Sequence, residues 1–209
     1  MKTLFIPAKR KLSINETKIT ELSKKLPASI AIAYSIQYEE IASKIKGILS
    51  KTKQITNCIQ VLGCSKPTFS KETKAILLIS DGKFHATSLA REAKIPVYLL
   101  YNNKLEKIQE SEVRQLKQKQ KASYLKYLHA DRIGIIASTK PGQQNLQKAI
   151  QFKKLQKKSN QNSKKPYLFI ASNINQEEFQ NFPQIQSWVN TACPRLDMSA
   201  KVINLRDLK

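Results

Sequence analysis

The feature that most constrains this chain is a repeated alternation of short, continuous apolar runs with longer amphipathic stretches. The runs lie at residues 3–7, 29–34, 76–80, 97–101, 133–138, 167–172 and 188–192, and polar residues or proline bound most of them. Continuous apolarity predicts strands buried on both faces. Between the runs, Tyr38, Ile41, Ala42, Ile45, Ile48 and Leu49 recur at three- and four-residue spacing, which is one face of a helix. Residues 143–155 repeat the device with Leu146, Ala149 and Ile150. Strand–helix–strand alternation predicts crossover units on mostly parallel sheets. The expected fold class is therefore α/β: two consecutive small Rossmann-like lobes, each a mostly parallel sheet flanked by helices. Residues 105–129 are highly charged and helical in pattern, so they form the natural bridge between lobes of residues 1–104 and 105–209. Residues 153–166, with six lysines, read as a helix end running into a mobile loop.

Charge narrows the choice of partner. Across 209 residues, 37 basic side chains face 15 acidic ones, a net charge of +22. Such a field attracts nucleic acid, anionic lipid or an acidic protein, although these lysines are spread along the chain instead of forming one stripe. No apolar run approaches the roughly 20 residues of a membrane span, and the opening Met1-Lys2-Thr3-Leu4-Phe5-Ile6-Pro7 is too short for a secretory signal. The expected location is the cytoplasm. There, three cysteines argue for a thiol or metal role and against a disulfide framework.

Chemistry-bearing residues cluster where the apolar runs end. Cys64, in Gln60-Val61-Leu62-Gly63-Cys64-Ser65, is either a thiol presented at a turn or a small buried hydrophobe. Cys193, in Trp188-Val189-Asn190-Thr191-Ala192-Cys193-Pro194-Arg195, follows a predicted strand at the end where open α/β sheets hold ligands. A proline after a cysteine also occurs at iron–sulfur ligands, and Arg195 is suited to offset the charge of a thiolate cluster or to grip a carboxylate. Cys58 reads as a buried thiol. Asp81-Gly82-Lys83-Phe84-His85 and Ser138-Thr139-Lys140-Pro141-Gly142-Gln143 each follow a strand and open a helix, a place where backbone amides approach a nucleotide or anion. Tyr124 and Tyr127 interleave with lysines, as in surfaces that stack bases; at helical spacing such aromatics are more often core-facing anchors. No GxGxxG follows a strand, which excludes the usual dinucleotide fingerprint.

Taken in order, Val61-Leu62-Gly63-Cys64, Ser80-Asp81-Gly82-Lys83-Phe84-His85, the Lys-x-Gly-Gln core at 140–143 and Ala192-Cys193-Pro194-Arg195 resemble the diphthamide synthase family, over residues 4 to 198. That resemblance implies three α/β lobes around a pseudo-threefold axis, each giving one cysteine to a [4Fe-4S] cluster. It implies that S-adenosylmethionine binds at the open iron, and that the reduced cluster releases a 3-amino-3-carboxypropyl radical that adds to a histidine of elongation factor 2. On this resemblance Cys64 and Cys193 are cluster ligands. Gln37, Asp81, Gly82, Phe84, His85 and Gln143 line the S-adenosylmethionine pocket, and Arg195 lies near the cluster. It further implies that this chain starts at the family's second lobe, so that the first lobe and its cysteine are expected from a separately encoded chain in a homo- or hetero-oligomer. Recruitment of Cys58, or loss of catalysis, are the other two ways to account for a missing ligand. The competing reading is a basic accessory module that kept the fold and binds RNA or the ribosome.

Overall fold

The computed structural model describes residues 3–62, 65–158, 164–194 and 201–208. Cys64 and Arg195 lie outside the described residues, as does the side chain of Phe84. Contacts divide the chain into two units, Met1–Leu116 and Lys117–Lys209.

In the first unit α1 (Glu16–Ser23) precedes β1 (Ser29–Tyr34), α2 (Glu39–Leu49), β2 (Gln54–Gln60), β3 (Ala75–Ile79), α3 (Lys83–Ala93), β4 (Val97–Tyr101) and β5 (Lys104–Lys107). The sheet order is β2-β1-β3-β4-β5, with parallel pairing except for β5, which runs antiparallel to β4. The two-residue period of a strand sorts the apolar runs onto two faces. Ile30, Ile32, Leu77 and Ile79 join Ile41, Ile45 and Leu49 of α2 in one cluster. The small Ala31 and Ala33, with Ile76 and Leu78, meet Ala86 and Leu89 of α3 on the other face. Both faces are thus covered, which is why these strands read as continuous apolar runs. Asn102 and Asn103, with φ of 46° and 55°, turn β4 into β5; two left-handed residues in a row suit the type I′ hairpin that fits the strand twist.

The run at residues 3–7, expected as a strand, is not one. It has no ladder neighbour, and Leu4, Phe5 and Ile6 are exposed. Apolar content alone does not make a strand when no edge accepts its backbone groups. The segment continues without regular structure as far as Asn15, whose side chain accepts a hydrogen bond from Lys18 N at 2.9 Å and starts α1.

The division between the units falls inside α4 (Glu110–His129). In the second unit there follow β6 (Arg132–Ser138), α5 (Leu146–Lys158), β7 (Lys165–Ala171), β8 (Ser187–Asn190) and β9 (Val202–Asn204), in an all-parallel sheet of order β7-β6-β8-β9. Ile133 packs with Tyr127 of α4, and Ile135 and Ala137 pack with Ala149 of α5. On the opposite face Ile136 and Trp188 meet Phe169, Phe179 and Phe182. Trp188 stacks on Phe179 at 4.3 Å between ring centres and lies 4.6 Å from Phe169. Gly134 pairs in register with Trp188, and the indole fills the space where a side chain at 134 would stand. No helix among the described residues is long and apolar enough to cross a membrane.

In each sheet the strand order reverses once, between β1 and β3 and between β6 and β8. Open α/β sheets bind ligands outside the carboxyl ends of the strands at such reversals. Both reversals carry residues singled out from the sequence.

Candidate functional site

At the first reversal β1 leads into Ser35 and a single 3-10 turn, Ile36–Tyr38, while β3 ends at Ile79 and leads through Ser80, Asp81 and Gly82 into α3. Ser35 N donates to Ile79 O at 3.2 Å, which ties the two strand ends together. Gly82 caps α3 with φ 80° and ψ 151°, a conformation that strains any L side chain. A Cβ at Gly82 would meet nothing within 4 Å, so the requirement there is backbone shape, and the space above it is open. Gln37 and Asp81 are exposed, and His85 is half-buried in the first turn of α3. Gln37, Asp81, Gly82 and His85 therefore all sit on one carboxyl edge.

Two residues not assigned from the sequence complete this edge. Tyr38 is 2% exposed and donates a short hydrogen bond from its phenol to Asp81 Oδ1. Burial first, and then that bond, push its pKa up to about 12, so the phenol stays protonated and remains a donor. Arg10 arrives from the unstructured N-terminal segment. Its guanidinium donates to Asp81 Oδ1 at 2.6 Å and to the Tyr38 hydroxyl at 3.0 Å, and its backbone N donates to Gln37 O at 2.9 Å. Lys9 beside it pairs with Glu39 at 3.6 Å and Glu40 at 3.2 Å, at the start of α2.

At the second reversal β8 ends at Asn190, and Cys193 stands three residues on as a half-buried free thiol. The loop is fastened by one buried side chain. Asn190 Nδ2 donates to Cys193 O at 3.0 Å and to Asn204 Oδ1 at 2.8 Å, while Asn190 Oδ1 accepts from Ala192 N at 2.9 Å. Thr191 adds hydrogen bonds from both its N and its Oγ1 to Ile136 O. From β6 the chain passes into Ser138, whose Oγ accepts from Lys140 N at 3.0 Å. Gln143 N then donates to Lys140 O at 3.0 Å, around Pro141 and a Gly142 with φ 78°. Proline followed by a left-handed glycine is the signature of a type II turn. Gln143 is half-buried at its end.

The donor set fits a thiolate-held cofactor in one respect and disfavours one donor. Cys193 lies three residues beyond the end of β8, its carbonyl already accepts from Asn190 Nδ2, and Pro194 after it brings no N–H. Cys58 on β2 instead packs against the core beside α2, and burial pushes its thiol pKa up, which disfavours the ligating thiolate. Val61, just after β2, donates to Tyr34 O at 2.8 Å, and Leu62 and Ser65 exchange two hydrogen bonds on either side of Gly63 and Cys64. Tyr127 is buried in the core cluster of the second unit and serves as a core-facing anchor, while Tyr124 is half-buried and packs against that cluster.

The family model for diphthamide synthesis proteins matches residues 1–201. The chain is similar to 2-(3-amino-3-carboxypropyl)histidine synthase of Pyrococcus horikoshii, at 27% identity over 211 residues, covering 94% of this chain and 59% of that protein. It is likewise similar to subunit 1 of the Schizosaccharomyces pombe synthase, at 27% identity over 174 residues, covering 81% of this chain and 39% of the subunit. Among solved structures it is similar to Dph2 from Pyrococcus horikoshii with a 4Fe-4S cluster, with a TM-score of 0.75 at 24% identity, covering 92% of this chain and 60% of that one. The chain thus spans less than two thirds of these relatives. With the family model matched along almost its whole length, this chain belongs to the diphthamide synthesis protein family.

Proposed function

We propose that this chain is part of a 2-(3-amino-3-carboxypropyl)histidine synthase, which transfers the 3-amino-3-carboxypropyl group of S-adenosylmethionine to a histidine of elongation factor 2. The observation that carries this reading is Cys193: a half-buried thiol at a strand-order reversal, on a loop that the Asn190 side chain holds at three points. Cys193 and Cys64 are the cluster ligands that this sequence contributes, and the remaining thiolate comes from outside it. When bound, the [4Fe-4S] cluster supplies the electron that cleaves the S–C bond of the sulfonium. The protein's own residues bind and orient. Gln37, Asp81, Gly82, Phe84, His85 and Gln143 are the residues that bind S-adenosylmethionine, and Arg195 balances the charge of the cluster. The net charge of +22 steers an acidic protein substrate toward the enzyme.

Anaerobic reconstitution with iron and sulfide, followed by electron paramagnetic resonance after reduction, tests the assignment. A four-iron signal is expected in the wild type with its partner chain and in Cys58→Ala, and is lost in Cys64→Ala and Cys193→Ala. A signal that survives Cys193→Ala, or none in any protein, refutes it.

A further inference from the structure

The ion pair between Arg10 and Asp81 is an odd place to invest a guanidinium if stability is its purpose. Both side chains are about half exposed, 41% and 51%, and an exposed pair contributes little to folding. Yet the contact is carefully built. Arg10 N is fixed to Gln37 O, the guanidinium meets Asp81 and Tyr38 together, and Lys9 anchors the adjoining residue on α2. An otherwise irregular segment is thereby fastened at one point, the carboxyl edge between β1 and β3.

Neither partner is used up by the contact. Among the described residues, the guanidinium makes its hydrogen bonds through NH1 alone and the carboxylate through Oδ1 alone, while the guanidinium carbon lies 5.9 Å from the centre of the Tyr38 ring. That leaves a planar edge of N–H donors on Arg10 and a second oxygen on Asp81, side by side and open to solvent. Tyr38, protonated and buried beneath them, holds the carboxylate in place. The empty space over Gly82 gives access from the α3 side.

A cation and an anion presented together at a ligand edge match one ligand chemistry well: the zwitterionic head of an α-amino acid. We propose that Arg10 and Asp81 form a cradle for such a head, with Arg10 gripping the α-carboxylate through its outer N–H groups and Asp81 Oδ2 accepting from the α-ammonium. Arg10 is then a specificity residue supplied by the N-terminal segment, and it distinguishes an intact aminocarboxypropyl group from one that has lost its carboxylate. The inference rests on the proposed function for the identity of the full ligand, but not for the class of its head.

The test is calorimetric binding to the cluster-reconstituted protein of S-adenosylmethionine and of its decarboxylated analogue, which keeps the sulfonium and the amine. The wild type should prefer the intact compound by about tenfold or more, the effect of one charge-assisted pair. Arg10→Gln should abolish that preference by lowering affinity for the intact compound more than for the decarboxylated analogue, and Arg10→Lys should restore part of it. Equal loss for both ligands would mean that Arg10 only holds the segment, and the cradle would be overturned; no loss for either would overturn it as well. Free methionine, followed through the amide resonances of Arg10 and Gly82, separates this idea from the enzyme reading. Shifts that vanish in Arg10→Gln, without any binding that depends on adenosine, would keep the cradle and sink the synthase. S-adenosylmethionine binding indifferent to Arg10→Gln would do the reverse, and shifts from neither ligand would refute both.

Discussion

Gly134→Ala should destabilise the second unit well beyond what one methyl group ordinarily does. The added Cβ would sit 3.0 Å from Trp188 Cδ2 and nearer still to Cε3 and Cζ3, inside the ring's van der Waals envelope. The neighbour cannot swing away cheaply. Trp188 is 2% exposed, stacked on Phe179 and packed on Phe169 and Phe182. Relief requires β6 and β8 to part or the aromatic cluster to rearrange. Overpacking of this kind costs about 1–3 kcal/mol, and disturbed aromatic pairs add about 0.5–1.5 kcal/mol, against about 0.5–1 kcal/mol gained from a less flexible unfolded chain. The net is a loss of about 0.5–4 kcal/mol, which lowers Tm by roughly 2–20 °C for a unit of about 100 residues. Trp188 is the only tryptophan, so its fluorescence during thermal unfolding reports on this unit directly. Gly47→Ala is the control: it stands in α2 with nothing within 4 Å of a new Cβ, and it should stabilise by about 0.4–1 kcal/mol. If Gly134→Ala melts within about 2 °C of the wild type or above it, the indole is not the barrier and the packing argument fails.

Two further outcomes are expected. Asn190→Ala removes three hydrogen bonds around Cys193 and should cost about 2–4 kcal/mol in denaturant unfolding, because Ala192 N–H and Cys193 C=O lose a buried partner; it should also lower iron retention although every cysteine remains, and unchanged iron content would count against Asn190 as a positioning residue. In alkaline titration, Tyr38 and Tyr127 should ionise near pH 12, because burial raises both phenols. A pKa raised above the unfolded value of about 10 means a contribution to stability that is whole below pH 10 and lost as pH climbs toward 12. A single phenolate transition near pH 10 in the folded protein would contradict this.

The strands buried on both faces, β1, β3 and β6, were legible because burial on two sides removes polar residues altogether. β2 was missed: Gln54, Thr56, Asn57 and Gln60 interrupt its apolar pattern at a sheet edge, where one flank needs no apolar cover. β5 was absorbed into the helical stretch that follows, since Lys104, Glu106 and Lys107 carry the same charge pattern as α4, although the left-handed pair Asn102-Asn103 was the turn signal that would have separated them. At the candidate site, Asp81, Gly82 and Cys193 could be read because strand ends are visible in sequence. Arg10 could not, as it meets Asp81 across 71 residues with no local pattern to announce it. Asn190 did leave a trace: one amide in an apolar strand has to spend its hydrogen bonds somewhere.

The β4–β5 hairpin has a consequence for assembly. An open parallel sheet ends in a row of unpaired backbone groups that invites another strand, and repeated α/β lobes in a larger protein run the constant hazard of zipping sheet to sheet. Here the last strand is only four residues long, reversed in direction and studded with Lys104, Glu106 and Lys107. Short, charged edges resist strand addition. The first unit is thereby insulated against strand addition on that flank.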